Sequence, residues 1–418
     1  MPSSDSVRES TPDKRPRVYF LVSTATSPGG LVRVVLNLAN RLVDHFDVEI
    51  ISIFRRGEAP FYQVDDRVRV TYLYDERAGH EAISIPWLRP LAGRLEARRS
   101  SLAPRQALKD QRMSLLTDVL TWRYLRSLEP GILVSTHPSL HVASVRFARR
   151  GMVKVGQEHM SFEGRNDQIQ QILRRYAPRL DAMVTLTASD LEHFTRLTQG
   201  SDTVVHRIPN ALPWGAIDEG AALTNKVVVA AGALLPRKGF GRLIDAFAPV
   251  AAKHPDWQLH IYGQGRKHRF LKESIRRKGL QKQVALKGQT NKIEDVLLSS
   301  SVFALSSHYE GWAMVVAEAM SKGVPVVAFD CPSGPADIIT HGRDGFLVPD
   351  GDLAEFTRSL LLLIEDDDRR RQMGSAALQA GHRFDPHTIG QQWVQMFEEL
   401  ARRSQLPERG RSRSGTEG

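Results

Sequence analysis

A chain of 418 residues, 41% hydrophobic and 25% charged, is long enough for two domains that each bury a core. Its single cysteine, Cys331, excludes an intramolecular disulfide and fits a reducing compartment. The formal net charge of +10 lies mostly in the first half, and no apolar run approaches the ~18 residues a membrane span needs, the best being Val227 to Leu235. The stretch from Met1 to Pro16 is polar and lacks the apolar core of a secretory signal, so the chain reads as soluble and cytoplasmic unless it rests on a surface.

In chain order, an apolar strand is expected over Arg17 to Ser23, then the small-residue loop Ser27-Pro28-Gly29-Gly30, a helix over Leu31 to Phe46 and a strand over Val48 to Phe54. Further strands are expected at Ile132 to Ser135, Val153 to Gly156, Met183 to Leu186 and Val204 to Ile208, separated by helical stretches. Pro209-Asn210-Ala211-Leu212-Pro213 interrupts the alternation and opens a polar linker. It resumes with strands at Val227 to Ala231, Gln258 to Tyr262, Val284 to Lys287, Val302 to Leu305 and Val324 to Phe329, with helices at about 240–253, 268–279, 291–300 and 312–322. Strands alternating with helices imply parallel, doubly wound sheets. The fold class expected is α/β, with two Rossmann-like domains facing each other across a cleft. The expected division is a disordered N-terminus over 1–16, a first domain over 17–210, a linker over 211–225, a second domain over 226–385, a helix over 386–403 that packs back toward the first domain, and a disordered basic tail over 404–418.

One segment stands apart by charge. Arg89, Arg94, Arg98, Arg99, Arg105, Lys109 and Arg112 face only Glu96 and Asp110, while Trp87, Leu88, Leu91, Leu95 and Leu102 recur at near-helical spacing. A basic amphipathic helix over 87–112 could lie on an anionic membrane or be an ordinary solvated helix; no nucleic-acid motif accompanies it.

In doubly wound folds ligands gather beyond the carboxyl ends of the strands. Four such loops carry chemistry. Gly29-Gly30 lets backbone approach a ligand and precedes a helix N-terminus, with Arg33 one turn on; a plain tight turn is the alternative. Arg237-Lys238-Gly239 pairs a bidentate fork with a point charge and suits a phosphate, or is a solvated basic turn. Tyr262-Gly263-Gln264-Gly265 begins like a dinucleotide fingerprint, but His268 stands where the third glycine belongs. In the fourth loop Glu310 and Glu318 stand eight positions apart around an apolar run. If that run is helical throughout, their Cα atoms lie roughly 12 Å apart, too far for the carboxyl pair of a retaining glycoside hydrolase, and a helix beginning at Gly311 would aim its amides at a phosphate or sugar. A solvent-facing Glu318 is the plain alternative.

Together these motifs, with Gly29-Gly30-x-x-Arg33-Val34, Ile208-Pro209-Asn210, Gly323-x-Pro325-Val326-Val327 and Gly345-Phe346-Leu347-Val348-Pro349, resemble the GT-B retaining glycosyltransferases of family 4, over residues 17–400. The form Asp330-Cys331-Pro332-Ser333-Gly334-Pro335 resembles bacterial members that build polysaccharides or lipid-linked glycans.

The resemblance implies a retaining hexosyl- or N-acetylhexosaminyltransferase that moves a sugar from a nucleotide-sugar, a UDP-sugar, to a glycan, polysaccharide or lipid-linked acceptor, at the inner face of the cytoplasmic membrane. It further implies that Arg237 and Lys238 hold the diphosphate, Glu318 the ribose hydroxyls and Glu310 the sugar. Gly30 and Gly311 would border the donor, and His159 would be the histidine contributed by the first domain, with Glu158 and His137 as rivals and a structural histidine as the alternative. No metal and no other cofactor is implied; Asp350-Gly351-Asp352 and Asp366-Asp367-Asp368 read as helix boundaries, with Asp352 a good N-cap. Trp312-Ala313 departs from the Phe-Gly or similar smaller pair of many relatives, so sugar choice does not carry over. A GT-B phosphorylase and a non-catalytic, membrane-associated sugar-binding protein remain as alternatives.

Overall fold

The computed structural model describes residues 15–78, 88–102 and 112–405. It contains two parallel sheets. The first joins β1 (Arg17–Thr24), β2 (Asp47–Arg55), β3 (Arg69–Asp75), β4 (Ile132–Ser135), β5 (Val153–Gln157), β6 (Ala182–Thr185) and β7 (Val204–Arg207) in the order 3-2-1-4-5-6-7. The second joins β8 (Val227–Ala231), β9 (Gln258–Tyr262), β10 (Val284–Gly288), β11 (Val302–Leu305), β12 (Val326–Asp330) and β13 (Gly345–Pro349) in the order 10-9-8-11-12-13. Apolar and β-branched runs such as Val227-Val228-Val229 and Ile132-Leu133-Val134 form central strands because helices cover both faces. The α/β architecture of two Rossmann-like domains is the one expected.

Two strands escaped the sequence reading. β3 mixes Arg69 and Asp75 with apolar residues because it is an edge strand, half buried along most of its length. β13 opens on Gly345 and ends on Pro349, both poor strand formers that an edge position tolerates.

The order reverses between β1 and β4 in one sheet and between β8 and β11 in the other. Those reversals open crevices at the strand carboxyl ends. The loops that follow β1, β8 and β11 are those holding Gly30, Lys238 and Glu310.

The basic segment is not one amphipathic helix. Its described part forms α2 (Arg89–Glu96) and then turns, with a bridge pairing Arg99 and Ser114. The buried carboxylate of Asp118, in α3 (Leu115–Ser127), causes the turn by accepting from Ser100 Oγ and from Ser101 N, both at 2.6 Å. Leu88, Ala92 and Leu102 are spent on the core of the first domain, which leaves Leu91 as the exposed apolar residue of α2. Trp87, Arg105 and Lys109 lie outside the described residues, as do most of the segments 1–16 and 404–418.

The chain crosses between domains near Leu212 and again near Phe384, and the two crossings are joined by Leu212 N donating to Phe384 O at 2.9 Å. The last helix, Pro386–Gln405, then returns to the first domain, where Trp393 and Phe397 pack with Phe46 and the helix α1 (Gly30–Leu42). Trp393→Ala should therefore destabilise the first domain by about 3 to 5 kcal/mol, the usual cost of emptying a buried aromatic site. Urea unfolding followed by circular dichroism checks this, and an unchanged midpoint would contradict the packing.

Candidate active site

The loop after β8 is held by one glycine and one arginine. Pro236–Lys238 form a single 3-10 turn, and Gly239 ends it in the left-handed region at φ 62°. A side chain there would place its Cβ 2.0 Å from the carbonyl oxygen of Ser306, so only glycine lets this loop approach the one after β11. His308 N donates to Arg237 O at 2.8 Å and Ser306 Oγ to Lys238 O at 3.0 Å. Arg242 completes the joint: it donates to the carbonyls of Ser306 and Ser307, pairs with Asp350 at 2.7 Å and stacks on Phe329 at 4.0 Å. Arg242 was not singled out from sequence; its lone sequence signal is its place three residues after the motif glycine.

This joint aims the side chains. Lys238 Nζ lies 2.5 Å from Glu310 Oε1, Ser307 Oγ donates to the same oxygen at 2.5 Å, and Arg237 Nη1 stands 3.8 Å from Oε2. Glu310 is buried, whereas Arg237 remains half exposed toward the cleft.

Glu310 does not enter a helix directly. Trp312 is buried edge-on against Phe384, Ala313 takes the left-handed conformation at φ 57°, and the helix runs only from Met314 to Met320. The ~12 Å helical spacing therefore does not apply to this segment, and Gly311 does not open a helix. Gly311 serves domain contact instead: a Cβ on it would stand 2.3 Å from the carbonyl oxygen of His159, in the other domain. Ala313 is strained because it carries a Cβ in a region that favours glycine.

Glu318 is buried rather than solvent-facing. Burial pushes its carboxyl up, and the Arg33 guanidinium opposes that rise. Arg33 Nη1 reaches it from the first domain at 3.1 Å, and the guanidinium carbon Cζ lies 5.8 Å from the ring centroid of Trp214 in the linker.

On the first-domain wall, Gly29 is the N-cap of α1 and Gly30 its first residue, and a Cβ on either would meet nothing within 4 Å. Nothing inside the protein crowds them. His159 lines the cleft; burial lowers it to about 4, and its Nε2 has no hydrogen-bond partner among the described residues. Asn210, also in the wall, has a buried Oδ1 without a partner. Neither rival of His159 faces the cleft in the same way. Although burial pushes Glu158 up, Arg165 and His141 hold it down at about 2, and it shares a 2.9 Å hydrogen bond with His141 Nε2. His137 is lowered to about 3 by burial and caps a helix by accepting from Ser139 N. Tyr309, missed in the sequence, bridges the domains through a 2.5 Å hydrogen bond between its hydroxyl and Ser161 Oγ.

The Gly263 and Gly265 pair serves packing between loops. Cβ atoms there would fall 1.8 Å from Gly232 O and 2.6 Å from Leu234 O, so the partial fingerprint has a structural cause. Asp352 caps its helix by accepting from Glu355 N at 2.9 Å, and Asp366 caps the next. Among the described residues no cluster of three or more His, Cys, Asp or Glu is disposed to hold a metal.

Gly30, His159, Arg237, Lys238, Glu310, Gly311 and Glu318 thus line one cleft of about 650 Å³ between the domains. A pocket of that size, with convergent polar groups in an apolar wall, suits a ligand larger than a single sugar.

Residues 217–380 match the family of glycosyl transferases group 1. The chain is 32% identical over 400 residues to an exopolysaccharide phosphotransferase of Streptomyces coelicolor, which covers 94% of this chain but 42% of that protein, so it spans less than half of that relative. It is 27% identical to an uncharacterised glycosyltransferase of Haemophilus influenzae, over 90% of this chain and 98% of that one. Among solved structures, Staphylococcus aureus TarM, crystallised with fondaparinux, alpha-GlcNAc-glycerol and UDP, superposes with a TM-score of 0.73 at 16% identity, over 91% of this chain and 99% of that chain. The second half of the chain is therefore similar to glycosyl transferases group 1, within a GT-B fold.

The buried titrating groups predict an acid limit. His159 and His137 titrate below their usual 6.5, and Glu158 titrates below its usual 4.5. In each case the unfolded chain binds more protons between the two values, so stability rises with pH across that window. Stability should fall from pH 6.5 downward as the histidines resist charging, and fall further below 4.5 as Glu158 is forced toward protonation at about 2. Urea midpoints measured against pH check this; His137→Gln should flatten the upper part of the curve.

Proposed function

We propose that the protein is a retaining glycosyltransferase of family 4 that takes a sugar from a UDP-sugar and places it on a glycan, polysaccharide or lipid-linked acceptor of the cell envelope or of an exopolysaccharide. The observation that carries this reading is the buried Glu310 carboxylate, held by Lys238 and Ser307 and flanked by Arg237, at the edge of a two-domain cleft. The group 1 match and the UDP bound to TarM support the donor class. The acceptor class draws on the exopolysaccharide relative, and no described helix is long and apolar enough to cross a membrane.

In this reading Arg237 and Lys238 take the donor diphosphate, and the leaving group is neutralised by these cations with no metal named in the role. Glu318 accepts from the ribose hydroxyls. Glu310 orients the sugar and favours positive charge at its anomeric carbon. The open space at Gly29 and Gly30 admits phosphate and acceptor, and the unpartnered His159 Nε2 and Asn210 Oδ1 meet ligand hydroxyls. The bond from the anomeric carbon to the diphosphate breaks, the acceptor oxygen bonds to that carbon on the same face, and the acceptor's proton passes to the departing phosphate. Two donors on one Glu310 oxygen make it a weak nucleophile, which favours this single front-face step over a covalent enzyme intermediate. Catalysis then rests on fixed charges aimed at the departing diphosphate and the cationic ring.

A panel of nucleotide-sugars, assayed by release of nucleoside diphosphate with and without acceptor, tests the reading. Glu310→Gln and Lys238→Ala should each lower turnover by about 10²-fold or more, the usual cost of one preorganised electrostatic partner. Unaltered turnover in both would refute the site assignment, and activity with sugar phosphates alone would point to a phosphorylase.

A further inference from the structure

The two acidic residues of the cleft are satisfied in different ways. Glu310 finds Lys238, Ser307 and Arg237 within its own domain. Glu318 is buried just as deeply, yet its side chain has one hydrogen-bond partner among the described residues, and that partner comes from the other domain. Arg33 is carried by α1, directly after the open Gly29-Gly30 turn, and its side chain is 27% exposed to the cleft. Below it Trp214 is fixed to the second domain by Nε1 donating to Ser321 Oγ at 3.0 Å, with buried Lys322 packed 4.7 Å over its ring. The guanidinium therefore meets a carboxylate and an aromatic ring, both of the opposite wall.

A buried carboxylate cannot be left bare without a large desolvation cost. When no ligand is present, only closure of the cleft supplies Arg33 to Glu318. A vicinal diol would supply two neutral donors to the same oxygens. The arginine released would remain beside the glycine turn, facing the wall of Arg237 and Lys238, where a diphosphate offers oxygens matched to its fork.

We propose that Arg33 is a positioning residue that exchanges partners on donor binding: the ribose diol of a nucleotide displaces it from Glu318, and it then grips the donor diphosphate from the first-domain side. The exchange rests on the nucleotide-sugar reading given above. It couples occupancy of the ribose site to the phosphate site across the domain gap, so that nucleoside alone gains Glu318 and loses the interdomain ion pair, whereas a nucleoside diphosphate regains that contact through its phosphates.

Calorimetric binding of uridine and of UDP to the full chain separates the outcomes. Arg33→Gln should leave uridine affinity equal to or above that of the wild type, because a competitor for Glu318 has gone. It should weaken UDP about tenfold, lowering the UDP-to-uridine affinity ratio by the same factor. Arg33→Lys should restore most of that ratio, since an ammonium can serve both partners in turn. Glu318→Gln should weaken both ligands together and keep the ratio. A wild-type ratio in Arg33→Gln, with both affinities lowered or neither, overturns the exchange and leaves Arg33 a static interface residue. If the wild type binds neither uridine nor UDP, nor the corresponding pair with another base, the nucleotide reading itself fails and the exchange falls with it.

Discussion

The geometry of the cleft depends on one close approach, Gly239 against the carbonyl of Ser306. With no Cβ in the way, the loop after β8 lies flat on the loop after β11, and the two are joined by backbone and by Arg242. Lys238 is then delivered to Glu310 by rigid backbone rather than by a flexible chain search. A buried ion pair is a poor source of stability, since the desolvation of both charges offsets most of their attraction. Its retention beside an open cleft makes better sense as preorganisation: the charges stand ready before a ligand arrives, and no reorganisation is needed at the moment of reaction.

The same logic separates the two halves of the cleft. In the second domain the cations and Glu310 satisfy one another without help. The first domain contributes groups whose partners lie outside it: Arg33 on Glu318, Ser161 on Tyr309, and the His159 carbonyl over Gly311. Each is a short-range contact across the gap, with Ala188 N donating to Asp337 at 2.7 Å beyond them. Interfaces of this polar kind between domains of one chain favour relative motion over rigid fusion. The two crossings near Leu212 and Phe384 run side by side, which confines that motion to a hinge.

How much of this could be read in advance follows from what each signal measures. Apolar period and length mark strands, so β1, β4 and β8 were legible while β3, with Arg69 and Asp75 at its ends, and β13, with Gly345 and Pro349, were not. The motif residues that reach the cleft were legible because loops at strand carboxyl ends are few and their chemistry is distinctive. What escaped depends on contacts distant in sequence. Arg242 matters through Ser306, Ser307 and Asp350; Tyr309 matters through Ser161, 148 positions away. The basic segment misled for a related reason: near-helical leucine spacing cannot say whether Leu88 and Leu102 face lipid or a core, and a buried Asp118 bends the chain toward the core. Helix onset was misplaced because the left-handed turn at Ala313 contradicts its own residue preference.

That contradiction has company. His159 Nε2 and Asn210 Oδ1 are buried without partners, and Gly29 and Gly30 avoid a crowding that the protein itself does not impose. Local rules hold at many helix ends, as the side-chain caps at Asp352, Asp366, Asn166 and Thr187 illustrate. Other departures, such as the unpartnered Tyr72 and Thr121 hydroxyls and the left-handed Leu223, lie away from the cleft. Those at His159, Asn210 and Ala313 fall around a single cavity, on elements from both domains, where an unsatisfied donor or acceptor costs about 1 to 3 kcal/mol until something meets it. A ligand with several hydroxyls and an anionic linkage would relieve the polar orphans and fill the space before the glycines in one step. Those departures thus point to a ligand of that chemistry from the protein's side, independently of the charged residues in the same cleft.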